Sequence, residues 1–224
     1  MWLLPALLLI SAIVLSIPLS AYFAWLMDGK YHAPRFLRWF EELVDTGPQD
    51  WKQYVLAMLV FSVGLFVFGF VVLCLQPYAP LNPRGLGWLE PTTIFNTVIS
   101  FMTNTNLQHY SGDQHLSNFS QTFFILPNMF LSASIGFCAL SAIIRAFRGE
   151  GTVGNFFVDM WRVAMYIYLP VSLIFGVLFI QQGMPMTYAS AEVATTLEPG
   201  AMGLDDKGVA KPQTIIVGPV AATI

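Results

Sequence analysis

The sequence predicts an all-α integral membrane protein: four transmembrane helices, one re-entrant pore helix with its loop, and the N-terminus outside. Three observations predict it. Of 224 residues, 56% are hydrophobic and only 10% charged, with a mean hydropathy of +0.64; a soluble domain carries roughly a quarter charged residues. The charges are clustered, so that residues 1–27, 53–83, 116–144 and 163–191 contain none. Between the second and third of these runs lies a segment, 76–121, that is too polar to cross a bilayer yet holds a half-length apolar helix.

Each charge-free run holds the roughly 20 residues a spanning helix needs at 1.5 Å per residue. The spans are expected over 2–27, 54–75, 122–144 and 163–180. Four wholly buried helices would leave a soluble protein too little polar chain to cover them. Residues 1–27 do not fit a secretory signal, because no positive residue precedes the apolar run and the run is too long. Lys30, Arg35, Arg38 and Lys52 follow the first span, and Arg145, Arg148 and Arg162 lie between the third and fourth, whereas 76–120 has only Arg84. The excess of Lys and Arg places 28–53 and 145–162 in the cytoplasm and the N-terminus outside.

Segment 76–121 opens with turn residues (Pro77, Pro80, Asn82-Pro83, Gly85, Gly87). Glu90-Pro91 then begins a helix expected over about 91–102, proline being harmless in a first turn. At about a dozen residues it is too short to span. Thr103-Asn104-Thr105-Asn106-Leu107-Gln108 follows, then His109-Tyr110-Ser111-Gly112, then the next span. Span, half-helix, polar stretch and span is the order of a re-entrant pore loop, in which non-helical backbone is buried in protein or lines a water-filled path. The helix C-terminus would favour a cation. Carbonyls of the following stretch could replace a hydration shell, as in potassium filters. Aligning carbonyls takes left-handed conformations, for which asparagine is the best non-glycine residue. An exposed turn is the competing reading, since Asn and Thr also favour turns.

Other chemistry is poorly supported. The net charge of −3 gives no nucleic-acid footprint. Cys74 and Cys138 sit within apolar runs and read as small hydrophobes. His32, His109 and His115 fall in loops, so none faces another across helices to ligate a haem. No acidic or basic residue lies mid-span, which argues against a proton relay. No residue is a candidate for catalysis.

The decapeptide Thr103–Gly112 resembles the first pore-loop motif of the potassium-binding subunits of Kdp potassium-transporting ATPases, the KdpA family. Trp51-Lys52-Gln53-Tyr54, Pro80-Leu81-Asn82-Pro83, Phe130-Leu131-Ser132-Ala133, Ile144-Arg145-Ala146-Phe147, Phe179-Ile180-Gln181-Gln182-Gly183 and Val217-Gly218-Pro219-Val220-Ala221 carry the resemblance in order along nearly the whole chain. It implies a potassium-channel-like fold of four span–pore–span repeats after a leading helix. On that plan, 1–27 is the leading helix, 54–144 the first repeat, 163–180 the first helix of a second repeat, and 181–224 an extracytoplasmic tail. It implies that Thr103, Asn104, Thr105 and Asn106 bind K+ through backbone carbonyls as one quarter of a filter, with Gln108 just beyond. It further implies a non-hydrolytic subunit of the prokaryotic plasma (inner) membrane, in contact with lipid. Such a subunit has no organic cofactor and passes K+ to a P-type ATPase catalytic subunit, which uses the ATP, beside small accessory subunits.

The family's second, glycine-rich pore loop should follow Gly218-Pro219-Val220, but the sequence given stops at Ile224. The expectation is a truncated or fragmentary subunit that does not conduct K+ by itself. A stand-alone oligomeric channel-like protein is the alternative within transport, made awkward by the surplus fourth span. A structural or cofactor-bearing membrane subunit is the alternative outside it, disfavoured by the loop histidines.

Overall fold

The computed structural model describes residues 3–184, 187–188, 192–194 and 213–215. Four helices are long and apolar enough to cross a bilayer: α1 (Leu3–Met27), α3 (Trp51–Leu75), α6 (Asn118–Phe147) and α7 (Phe156–Gln181). Between them lie α2 (Arg35–Val44), the half-length α4 (Pro91–Met102) and the single turn α5 (Gly112–His115). The chain is a multi-pass integral membrane protein. Beyond the helices, β1 (Glu192–Ala194) pairs antiparallel with β2 (Gln213–Ile215), Glu192 opposite Ile215. Apart from this three-residue pair and an isolated bridge, the regular structure of the described residues is helical, as the sequence predicts. The Gly218-Pro219-Val220 motif lies outside the described residues.

Three of the four spanning helices, α3, α6 and α7, begin ahead of the spans read from the sequence, each with a polar side chain capping its start. The Asp50 carboxylate accepts from the Gln53 N–H at 2.9 Å and the Gln53 amide oxygen accepts from the Asp50 N–H at 3.0 Å, a capping box that starts α3 at Trp51. Ser117 caps α6 and Asn155 caps α7. The loop expected over 145–162 is consequently shorter, since α6 continues to Phe147 and α7 starts at Phe156.

Both α6 and α7 contain a proline just after a π-helical turn, Gln121–Ile125 before Pro127 and Val163–Tyr168 before Pro170. Proline lacks the N–H and its ring crowds the carbonyl four residues back. Widening the preceding turn relieves the clash without ending the helix. The carbonyl four residues before Pro170, that of Tyr166, accepts instead from the Tyr22 hydroxyl of α1 at 2.7 Å.

α1 is exposed along almost its whole length, with only Leu26 and Met27 buried. A helix apolar on every side is the composition of a membrane span. At its end, the buried Arg145 guanidinium of α6 reaches three elements. It donates to the Met27 carbonyl at 2.9 Å, to the Val153 carbonyl at 2.8 Å, and to both oxygens of Asp159 in α7 at 2.6 and 3.1 Å. Tyr54 of α3 donates to the same carboxylate at 3.0 Å. Gln49 and Gly154 join the two connecting segments by a β-bridge. Both loops therefore lie at one end of the bundle, opposite the end where α3 finishes and α6 starts.

At that second end α4 packs against α3 and α6, with Val72, Leu73, Ile94, Val98, Phe101 and Phe124 buried between them. Gly69 makes the approach possible: a Cβ there would stand 2.2 Å from the Phe124 ring.

Candidate cation site at the end of the half-length helix

Ser100, in the last turn of α4 and buried, folds the segment that follows. Its carbonyl accepts from the N–H groups of Thr105 at 2.9 Å and Asn106 at 3.2 Å. Its hydroxyl accepts from the Leu107 N–H and donates to the Leu107 carbonyl, both at 2.8 Å. The N–H groups of Thr103 and Asn104 also turn back, to the Ile99 and Phe101 carbonyls at 2.9 and 3.3 Å. The amides are thus spent inside the turn. The carbonyls of Thr103, Asn104, Thr105 and Asn106 accept no hydrogen bond from the described residues, and all but Asn106, which is half-buried, belong to exposed residues.

Asn104 and Asn106 have left-handed backbones, φ +57° and +54°. Alternation with Thr103 and Thr105 turns successive peptide planes, and asparagine tolerates this conformation better than any other residue with a Cβ. The side chains brace the loop. Thr103 and Thr105 hydroxyls lie 2.9 Å apart, and the Asn106 amide donates to the Asn104 side-chain oxygen at 3.2 Å. The Asn106 Oδ1 and Gln108 Nε2 atoms are buried and without a partner among the described residues.

The chain then returns beside the helix it has just left. The Tyr110 hydroxyl lies 2.8 Å from that of Thr97, and the His109 ring lies 3.3 and 3.4 Å from the Asn96 amide and the Thr93 hydroxyl. On the opposite flank, Ser132 of α6 lies 3.3 Å from Asn104 Oδ1. Ser132 stands midway along the 30-residue α6, roughly 20 Å from its start at 1.5 Å per residue.

Gln76, fully buried at the C-terminus of α3, fixes the other end of the segment. Its amide nitrogen donates to the carbonyls of Gly87 at 3.0 Å and His115 at 3.1 Å. Its oxygen accepts from the Ser117 N–H at 3.0 Å and the Ser120 hydroxyl at 2.8 Å. All four hydrogen bonds available to the amide are made.

The five residues singled out in the sequence, Thr103, Asn104, Thr105, Asn106 and Gln108, therefore fall in one short turn capping the C-terminus of α4. That helix end carries partial negative charge. Carbonyls that accept no hydrogen bond from the described residues lie beside it, an arrangement of the kind that can accept a cation. Ser100, Gln76 and Ser132 do not stand out in the sequence; the only signal is a polar side chain at the border of an apolar run.

A family model described as KdpA, potassium-transporting ATPase A subunit, matches residues 6–224. The chain belongs to the KdpA family. Relatives agree along nearly its full length. A protein of Granulibacter bethesdensis, named potassium-transporting ATPase potassium-binding subunit, is 35% identical over 99% of this chain and 39% of its own length. Proteins of Allorhizobium ampelinum and Listeria monocytogenes, named alike, are 38% and 40% identical over 96% and 91% of the chain. The chain spans about two fifths of the length of these relatives, 39% and 38% in the first two cases.

Proposed function

We propose that this chain supplies one segment of a potassium-selective filter in an ATP-driven K+ uptake complex. The observation that carries the reading is the turn Thr103–Asn106, whose N–H groups are bonded inward while its carbonyls accept no hydrogen bond from the described residues. A carbonyl ring of suitable spacing replaces the hydration shell of K+. The contact of Asn104 with the middle of α6 supports a re-entrant α4, entering from the outer face with its C-terminus aimed inward. The names of the relatives support K+ as the transported substrate and a place beside other subunits. One segment partly surrounds an ion, so a closed cage takes further segments of the same kind.

On this reading the chain binds and passes K+ without hydrolysing ATP. A P-type ATPase subunit supplies the energy, with small accessory subunits beside it, in a prokaryotic inner membrane. Gln108 stands at the rim. Replacing it with alanine in the complete subunit should raise the K+ concentration for half-maximal uptake, measured with rubidium as tracer. Unchanged affinity and unchanged discrimination against Na+ would count against the assignment.

The orientation follows the Lys and Arg balance, supported by the joining of segments 28–50 and 148–155 at one end of the bundle. Alkaline phosphatase fused after Gly112 should be active, and a reporter that works only in the cytoplasm should be silent there. The reverse pattern would overturn the N-out topology.

A further inference from the structure

We infer that α2 is an interfacial anchor that lays Phe36, Trp39 and Leu43 into the bilayer surface while Arg35 and Arg38 engage the phosphates of anionic phospholipids.

The inference starts from the width of the apolar face. Three apolar residues of α2 meet the protein: Phe40 stacks on Trp161 of α7, ring centroids 5.2 Å apart, and Leu37 and Val44 are half-buried. The apolar arc does not stop there. At about 100° per residue, Phe36, Trp39 and Leu43 continue it round the helix. They are 64%, 56% and 64% exposed. Arg35, Arg38 and Glu42 occupy the opposite, polar arc, also exposed.

What covers the open arc follows from the level at which α2 is held. Glu41 accepts from Arg162 of α7 at 2.9 Å (Nε), and the same guanidinium donates to the carbonyl of Met27, the last residue of α1, at 3.1 Å. Tyr31 also donates to Glu41. Burial raises the Tyr31 pKa, as does the adjacent carboxylate, so the phenol remains a donor. One residue thus joins α2 to the end of a lipid-facing span, and Trp51 opens the next span, 64% exposed with Lys52 over its ring at 5.5 Å. Exposed tryptophan at the end of a span marks the headgroup level. A helix fixed at that level with an open apolar arc lies in the interface.

The charge balance selects the lipid. Arg162 neutralises Glu41, whereas Arg35 and Arg38 make no ion pair among the described residues. On the polar arc of α2 itself, Arg35 and Arg38 outnumber Glu42 among the exposed charges, and a net positive face at the headgroup level favours anionic lipid.

The test is site-directed spin labelling of the chain in vesicles of phosphatidylethanolamine and phosphatidylglycerol. Single variants Trp39→Cys, Leu43→Cys and Glu42→Cys are compared with a control bearing only Cys74 and Cys138. Nitroxides at 39 and 43 should collide more with oxygen than with a water-soluble nickel chelate, and the ratio should invert at 42. Replacing phosphatidylglycerol by phosphatidylcholine should lift the label at 39 toward water, and Arg35→Gln with Arg38→Gln should abolish that lipid dependence. Nickel access at all three positions would overturn the inference by placing α2 in water. Low access to both reagents at 39 and 43 would overturn it by showing a protein surface over the arc. Equal depth in both lipid mixtures would remove the anionic specificity.

Discussion

Replacing Asp159 with alanine is expected to destabilise the helical bundle by about 3–5 kcal/mol, the usual cost of leaving one partner of a buried ion pair uncompensated. The carboxylate is 1% exposed, and Arg145 opposite it is 8% exposed. Both oxygens of Asp159 are bonded by the one guanidinium, and Tyr54 donates to one of them. Without the acid, the cation keeps only the carbonyls of Val153 and Met27. Those contacts link four segments of chain, so the loss should loosen all of them together. Thermal unfolding in detergent should show a large fall in Tm for Asp159→Ala. The double variant Arg145→Met with Asp159→Leu should recover most of it, because removing both charges also removes the desolvation penalty. A single variant with wild-type Tm would mean that the pair is not buried as described. Gly154 belongs to the same arrangement, with φ +106° and a hypothetical Cβ 2.0 Å from Arg145 Nη1.

Replacing Ser100 with alanine is expected to weaken K+ binding by about 5- to 140-fold. The estimate takes about 1–3 kcal/mol for a buried group left without its hydrogen bond and about 1.4 kcal/mol per tenfold. The Ser100 hydroxyl holds both the N–H and the carbonyl of Leu107. These two bonds close the turn in which the carbonyls of Thr103–Asn106 are presented. Alanine leaves the helix intact, so global unfolding should change little while the K+ concentration for half-maximal uptake rises. Ser100→Thr keeps the hydroxyl and should lie nearer the wild type. An alanine variant with normal K+ affinity would show that the turn does not need this brace.

The spans were legible because lipid-facing helices need apolar residues on every side, so composition alone reveals them. α1 and α3 illustrate it. The cores of α6 and α7 were equally legible, but not their ends, because Arg145, Asp159 and Arg162 look like loop charges until they are seen to pair. The π-helical turns before Pro127 and Pro170 could not be read, since a proline in an apolar run shows that helix geometry changes but not how. α2 is not legible as a span, because ten residues of mixed charge and aromatics carry no spanning signal. In the candidate site, the asparagines were legible through their backbone tolerance, and Asn104 and Asn106 adopt positive φ. Ser100 was not, because a serine near a helix end looks neutral until the chain doubles back onto it. Gln76 was hidden for a similar reason, its four partners being spread from Gly87 to Ser120.

The central claim is that the backbone carbonyls of Thr103–Asn106, rather than the side chains, ligate K+. K+ titration of uptake by the assembled transport complex carrying Asn106→Gly or Asn106→Val tests it directly. Glycine removes the side chain but keeps the carbonyl and accepts φ +54°. Valine keeps the carbonyl too, yet a β-branched residue is strained there by about 1–3 kcal/mol. The account predicts half-saturation within a few-fold of wild type for glycine and about tenfold or more weaker for valine. Equal losses for the two variants would make the asparagine side chain the ligand, and no loss with either would remove this turn from the K+ path.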